Sequence, residues 1–241
     1  MNGVENIMHT TTNIFFDLDG TLTDSKKGII NSIIFALEKV GHPVPTQEKL
    51  NSLIGPPLRN YFSKELDREK EEAAMRFFVQ RYDTEEKCLT ESELYPDIPV
   101  VLGKLRQHGK KLFVVTAKPK AIAEKIVQHF GLDEFFLCVY GAEQDETRSD
   151  KSDLISYVLE REGIAPQTAV MIGDRWHDVF GATTNGVASI GALWGYSAKG
   201  ELEMVGAQYL AETPNDLLRL LLEPDVRPAR ECAIHKPPFM C

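Results

Sequence analysis

The chain has 241 residues, 43 % hydrophobic and 26 % charged, which suits a globular protein with one large domain or a core carrying an insert. Its 36 acids outnumber its 27 Lys and Arg, so the net charge is 27 − 36 = −9; such a surface repels DNA, RNA and anionic membrane, and polyanion binding is not expected. Four scattered cysteines (Cys88, Cys138, Cys232, Cys241) form no Cys-x-x-Cys pair, Met1 to Thr12 has no signal-peptide character, and no run approaches ~18 apolar residues, so a soluble cytoplasmic protein is expected.

The first predicted element is a strand, Asn13 to Phe16, which runs into Asp17-Leu18-Asp19-Gly20-Thr21-Leu22-Thr23. Ser25 can cap a helix reaching about Val40, with Ile29, Ile30, Ile33, Ile34 and Leu37 at helical spacing and Gly41 and Pro43 as stops. A short helix at Thr46 to Leu53, a break at Gly55-Pro56-Pro57, a helix from Leu58 to Leu66 and a long charged helix from Asp67 to Lys87 follow. No strand is expected between Thr23 and about Leu94, so this stretch reads as an all-helical insert.

From Tyr95 the texture becomes alternating. Helices are predicted at Val100 to His108, Pro119 to Phe130, Ser149 to Arg161 (capped by Ser149 or Asp150), Arg175 to Asn185 and Asn215 to Leu222. Strands are predicted at Lys111 to Thr116, Phe136 to Tyr140, Ala169 to Ile172 and Val187 to Ile190. Such alternation implies an α/β fold with a parallel sheet covered by helices on both faces. The expected organisation is a core of residues 12–23 and 95–223, an insert of 24–94, and a proline-rich tail of 224–241 outside the core.

In a parallel sheet all strands end on one edge, where open α/β folds bind their ligands. The first strand ends on Asp17 and Asp19. The strand Lys111 to Thr116 ends on Thr116, with Lys118 after it. The strand Ala169 to Ile172 ends on Gly173-Asp174, with Asp178 four residues on and on the same helix face. Lys151 opens the helix between them. Taken singly, each has a bland role: a hydroxyl turn, a solvated lysine, a helix cap. Jointly they set paired acids beside groups that hold anions. Converging carboxylates need a cation or a shared proton, so the set asks for Mg²⁺, for acid/base chemistry, or for both. An EF-hand is excluded, because Leu22 and Gly28 stand where the loop needs Gly and Glu. No phosphate loop, dinucleotide fingerprint or nucleophile elbow is present.

These four strand-end motifs, Asp17-Leu18-Asp19-Gly20-Thr21, Thr116, Lys151 and Gly173-Asp174 with Asp178, resemble those of the haloacid dehalogenase superfamily, over roughly Asn13 to Leu222. Ile54-Gly55-Pro56-Pro57-Leu58, Gly173 to Asp178 and Leu193-Trp194-Gly195-Tyr196 further resemble its phosphoglycolate phosphatase and 5′-nucleotidase-like branch. The resemblance implies a Rossmann-like doubly wound core with an inserted all-helical cap, and a phosphatase acting through an aspartyl-phosphate. It implies Asp17 as nucleophile and Asp19 as acid and base. Mg²⁺ would be held by Asp17, the Asp19 carbonyl and Asp174, with Asp178 steadying the site. Thr116 and Lys151 would hold the phosphoryl oxygens, and Arg59 and Arg148 are weaker candidates for substrate contact. The expected partner is a small phosphorylated metabolite, with monomer and homodimer both open. Asp19 argues against carbon–halogen hydrolysis, whose enzymes lack it. A phosphomutase, or a phospho-acceptor scaffold without turnover, remains as the alternative.

Overall fold

The computed structural model describes residues 11–143 and 148–223; the expectations for the N-terminus and for the Pro224 to Cys241 tail lie outside them. Strand β1 (Asn13–Phe16) is followed by an insert that opens with β2 (Thr23–Asp24). The insert continues through α1 (Lys26–Lys39), α2 (Gln47–Ser52), α3 (Arg59–Glu65), α4 (Arg68–Val79), a π turn at Gln80–Thr84 and α5 (Lys87–Thr90), and closes with β3 (Glu93–Leu94). Then come α6 (Ile98–Gln107), β4 (Lys111–Pro119), α7 (Lys120–His129), β5 (Cys138–Ala142) and α8 (Lys151–Glu162). After them follow β6 (Ala169–Gly173), α9 (Trp176–Thr184), β7 (Ala188–Ala192), α10 (Glu201–Met204), β8 (Tyr209–Ala211) and α11 (Asp216–Leu222). No helix among the described residues is long and apolar enough to cross a membrane.

Six strands form one parallel sheet in the order β5-β4-β1-β6-β7-β8. Its centre is near-continuous apolar sequence because helices cover both faces: Ile14, Phe15, Phe16, Val114, Val115, Val170, Met171 and Ile172 are all fully buried. Phe16 is in register with Val114 on one side and with Ile172 on the other. One sheet edge therefore carries the ends of β1, β4 and β6 side by side.

Thr23 to Leu94 forms a compact unit of its own, and the rest of the described chain forms the other. The unit is not all-helical. Thr23–Asp24 pairs antiparallel with Glu93–Leu94, a two-residue ladder too short to leave a periodic signal. Ser25 stands at the start of α1 but its hydroxyl makes no cap bond; Asp24 accepts from the Lys26 amide instead. The expected long helix from Asp67 to Lys87 is broken after Val79 by the π turn. Arg81, on that turn, forms an ion pair with Glu91 at 2.6 Å and bonds the Ser32 hydroxyl, a tertiary tie invisible to helical periodicity.

In the core unit the sequence reading missed β8 and α10 and shortened β4. That strand runs on to Pro119, with a register break: the chain advances four positions from Val115 to Pro119 while its partner advances two from Tyr140 to Ala142 (119 − 115 against 142 − 140). Thr116 and Lys118 lie within this irregularity, after the stretch of β4 that pairs in register with β1.

Candidate active site

Each acid arrives at the edge for a local reason. Asp17 follows the last residue of β1, its amide bonded to the Ile172 carbonyl at 2.9 Å. Asp174 follows β6, and Asp178 lies in the first turn of α9, where Oδ2 accepts the Arg175 amide at 3.1 Å. The carboxylate at that position reaches back to the cap residue, as in a capping box. Asp17, Asp174 and Asp178 are 5 %, 0 % and 1 % exposed, and each offers an oxygen within 4.8 Å of the others.

Lys151 is the cation set among them. It opens α8, whose cap is Asp150, with Oδ1 accepting the Ser152 and Asp153 amides. Its ammonium reaches Asp17 Oδ1 at 2.8 Å, Asp178 Oδ1 at 2.8 Å and the Val115 carbonyl at 2.9 Å. Burial opposes its charge, but Asp17 and Asp178 outweigh this and raise its pKa, so the ammonium stays protonated. Burial likewise opposes ionisation of Asp178, and Lys151 more than reverses that, holding the carboxyl well below the usual range. Asp17 and Asp174 are shifted upward, by burial first and by the negative neighbours they face.

The expected phosphate-binding and acid/base residues are placed with more detail than the sequence allowed. Lys151 directs its three N–H groups at two carboxylates and a carbonyl, so a phosphoryl oxygen would have to share them. Thr116 is buried and its hydroxyl accepts the Lys118 amide at 3.3 Å. Asp19 stands apart from the three-acid group; its Oδ2 pairs with Lys118 at 2.8 Å. Arg148 pairs with Glu143 at 2.5 Å and lies 4.2 Å over the Tyr157 ring. Arg59 lies in the insert, half-exposed and paired with Glu71 at 3.0 Å.

Several residues that brace the acids were not singled out for chemistry. Asp174 Oδ2 accepts the Tyr196 amide at 2.7 Å and Oδ1 the Thr21 hydroxyl at 3.4 Å. The Trp194 indole donates to the Thr21 carbonyl at 3.0 Å, tying the loop after β7 to the loop after β1. Two glycines pinch Asp174. A Cβ on Gly20, at φ +85°, would lie 2.2 Å from its Oδ2, and one on Gly195 would lie 2.3 Å from its Cβ and 2.4 Å from the Gly20 carbonyl. Trp194-Gly195-Tyr196 and Lys118 were visible as sequence, but only the packing shows what they touch. Gly195→Ala is expected to displace Asp174, because backbone and a buried carboxylate cannot give way cheaply. Steady-state kinetics should show kcat down by about 10²-fold, the scale of an ångström-level misplacement, with a melt that stays cooperative.

The family model for haloacid dehalogenase-like hydrolases matches residues 14–192. The chain belongs to this family. A 5′-nucleotidase from Pseudomonas aeruginosa is 41 % identical over 192 residues, covering 79 % of this chain and 86 % of the relative. The tyrosine-protein kinase PtkA of Mycobacterium tuberculosis is 36 % identical over 184 residues; the match spans 76 % of this chain but only 62 % of that protein. Among solved structures, a predicted phosphatase from Clostridium acetobutylicum superposes with a TM-score of 0.82 at 35 % identity, covering 88 % of this chain and 99 % of that one. The chain is thus an enzyme of the phosphatase type.

Proposed function

We propose that this enzyme is a Mg²⁺-dependent phosphomonoesterase of the cytoplasm, acting on a small phosphorylated metabolite through an aspartyl-phosphate. The observation that carries the reading is the buried group of Asp17, Asp174 and Asp178 around Lys151. Three buried carboxylates crowd around one ammonium, and burial together with their negative neighbours pushes Asp17 and Asp174 upward, the mark of a group short of positive charge. Hard oxygen donors of this kind suit a divalent cation such as Mg²⁺, so the donor set fits the metal. Asp17 and Asp174 would hold it, with the Asp19 carbonyl, and Asp178 would steady the site. When bound, Mg²⁺ neutralises charge on the transferring phosphoryl group.

Asp17 attacks phosphorus, forming an O–P bond as the bond to the substrate alcohol breaks. Asp19 gives its proton to the departing alkoxide, then takes one from the water that cleaves the aspartyl-phosphate, so both proton and carboxylate are restored. Lys151 keeps Asp17 turned toward the site and shields it from Asp178. Thr116 and Lys118 would meet the phosphoryl oxygens, and Lys118, paired with Asp19, would orient it. The insert of residues 24–94 is proposed as the specificity-giving cap, with Arg59 as a substrate-contact candidate.

The 41 % identity to a 5′-nucleotidase favours 5′-nucleotides over phosphoglycolate as the first substrate class to test. Purified enzyme should release phosphate from at least one member of a panel holding both, with the rate lost in EDTA and restored by Mg²⁺. No Mg²⁺-dependent release across the panel would refute the proposal. The similarity to a tyrosine-protein kinase supports a second reading, in which Asp17 passes its phosphoryl group to a protein tyrosine. ATP labelled in its terminal phosphoryl group, incubated with a tyrosine-containing peptide, separates the two: in a kinase the label moves through Asp17 to the peptide as ADP leaves, whereas a phosphomonoesterase leaves the peptide unlabelled.

A further inference from the structure

Besides the Tyr196–Asp174 bond, the carboxylate of Glu201 ties the loop that carries Asp174 to the loop that carries Tyr196. Glu201 Oε1 accepts the Arg175 Nε–H at 3.1 Å and the Trp176 amide at 2.9 Å, and Oε2 accepts the Ala198 amide at 3.0 Å. Arg175 and Trp176 directly follow Asp174. Ala198 lies two residues beyond Tyr196, whose amide is bonded to Asp174 Oδ2. Glu201 and Arg175 are 7 % and 8 % exposed, so the pair sits in a low-dielectric setting where removing one partner strands the other. The neighbour of Glu201, Leu202, is fully buried with Val179, Val205 and Ala207, against which Trp176 packs, so α10 gives the carboxylate a rigid base.

We propose that Glu201 is a positioning residue for the metal site: it locks the loops after β6 and β7 together and so keeps the Tyr196 amide on Asp174. The inference rests on the Mg²⁺ reading above. Without the lock, Asp174 keeps its chemistry but loses the fixed orientation that makes it a pre-formed ligand. Outer contacts of this kind typically change metal affinity about 10–100-fold.

The test measures Mg²⁺ binding directly, by calorimetry and by the rise in melting temperature with added Mg²⁺, on substrate-free protein. Glu201→Ala is expected to raise the Mg²⁺ Kd about tenfold or more. Glu201→Gln, which keeps one acceptor oxygen and loses the charge, should fall between it and the native enzyme. Glu91→Ala, which breaks the Arg81 ion pair of the insert, is the control: it should lower the melting temperature and leave the Kd unchanged. If both Glu201 variants melt earlier yet bind Mg²⁺ like the native enzyme, Glu201 is a structural tie only and the inference is overturned. If Glu201→Ala does not fold, Glu201→Gln decides by the same criterion. Native enzyme that binds no Mg²⁺ would remove the metal reading first, and this inference with it.

Discussion

Asp17→Asn is expected to lower phosphatase turnover by about 10⁴-fold or more, the scale seen when a covalent nucleophile is removed. The amide is nearly isosteric but cannot attack phosphorus. Folding should survive, because Lys151 keeps Asp178 and the Val115 carbonyl as partners. The substitution also removes one of three crowded acids, so the melting temperature of metal-free protein should hold or rise. Phosphate release and a thermal melt on the same preparation check both halves. Activity within tenfold of native would displace Asp17 from the nucleophile's role.

Lys151→Met carries the second large effect, and it bears on stability as much as on rate. Removing the ammonium leaves Asp17 and Asp178 buried and facing each other, and breaking a buried pair from one side costs about 3–5 kcal/mol. For a chain of this size that is a fall of roughly 6–20 °C in melting temperature, at about 2–4 °C per kcal/mol. Turnover should drop by about 10²-fold or more, since the cation that orients Asp17 is gone. Adding Asp178→Asn to Lys151→Met should recover a large part of the stability and little of the activity, because the residues share one charge network and their effects are not additive. Equal losses in the single and double variants, read by urea unfolding, would show that Lys151 acts through packing rather than charge. Lys151→Arg is no conservative exchange here, because Lys151 is buried with its ammonium among three acceptors at 2.8–2.9 Å.

The parallel α/β core was legible because its strands are apolar runs between amphipathic helices, a pattern set by burial on both sheet faces. What escaped the reading were elements too short to have a period. β2 and β3 are two residues each, α10 is four and β8 three. The π turn at Gln80–Thr84 escaped for a different reason: its sequence continues a helical pattern, and the side chain of Arg81 is drawn to Glu91 across the insert.

The same division runs through the site. Asp17, Asp19, Thr116, Lys151, Asp174 and Asp178 were marked from sequence because each sits at a strand end or helix start, and parallel topology sends all those ends to one edge. The inequality of the two acids of the opening motif was a matter of contacts. Tertiary structure put Asp17 with Asp174 and Asp178 around Lys151, and set Asp19 apart against Lys118, which lies in a register break that no periodicity announces. It also made Gly20 and Gly195 the walls of Asp174, and Glu201 the tie between the loops beside it. Sequence alone determined which groups reach the edge, since strands that alternate with helices run parallel and end on the same side. Which of them touch was decided by packing, since a contact between residues some 150 positions apart depends on both ends being held by the whole core.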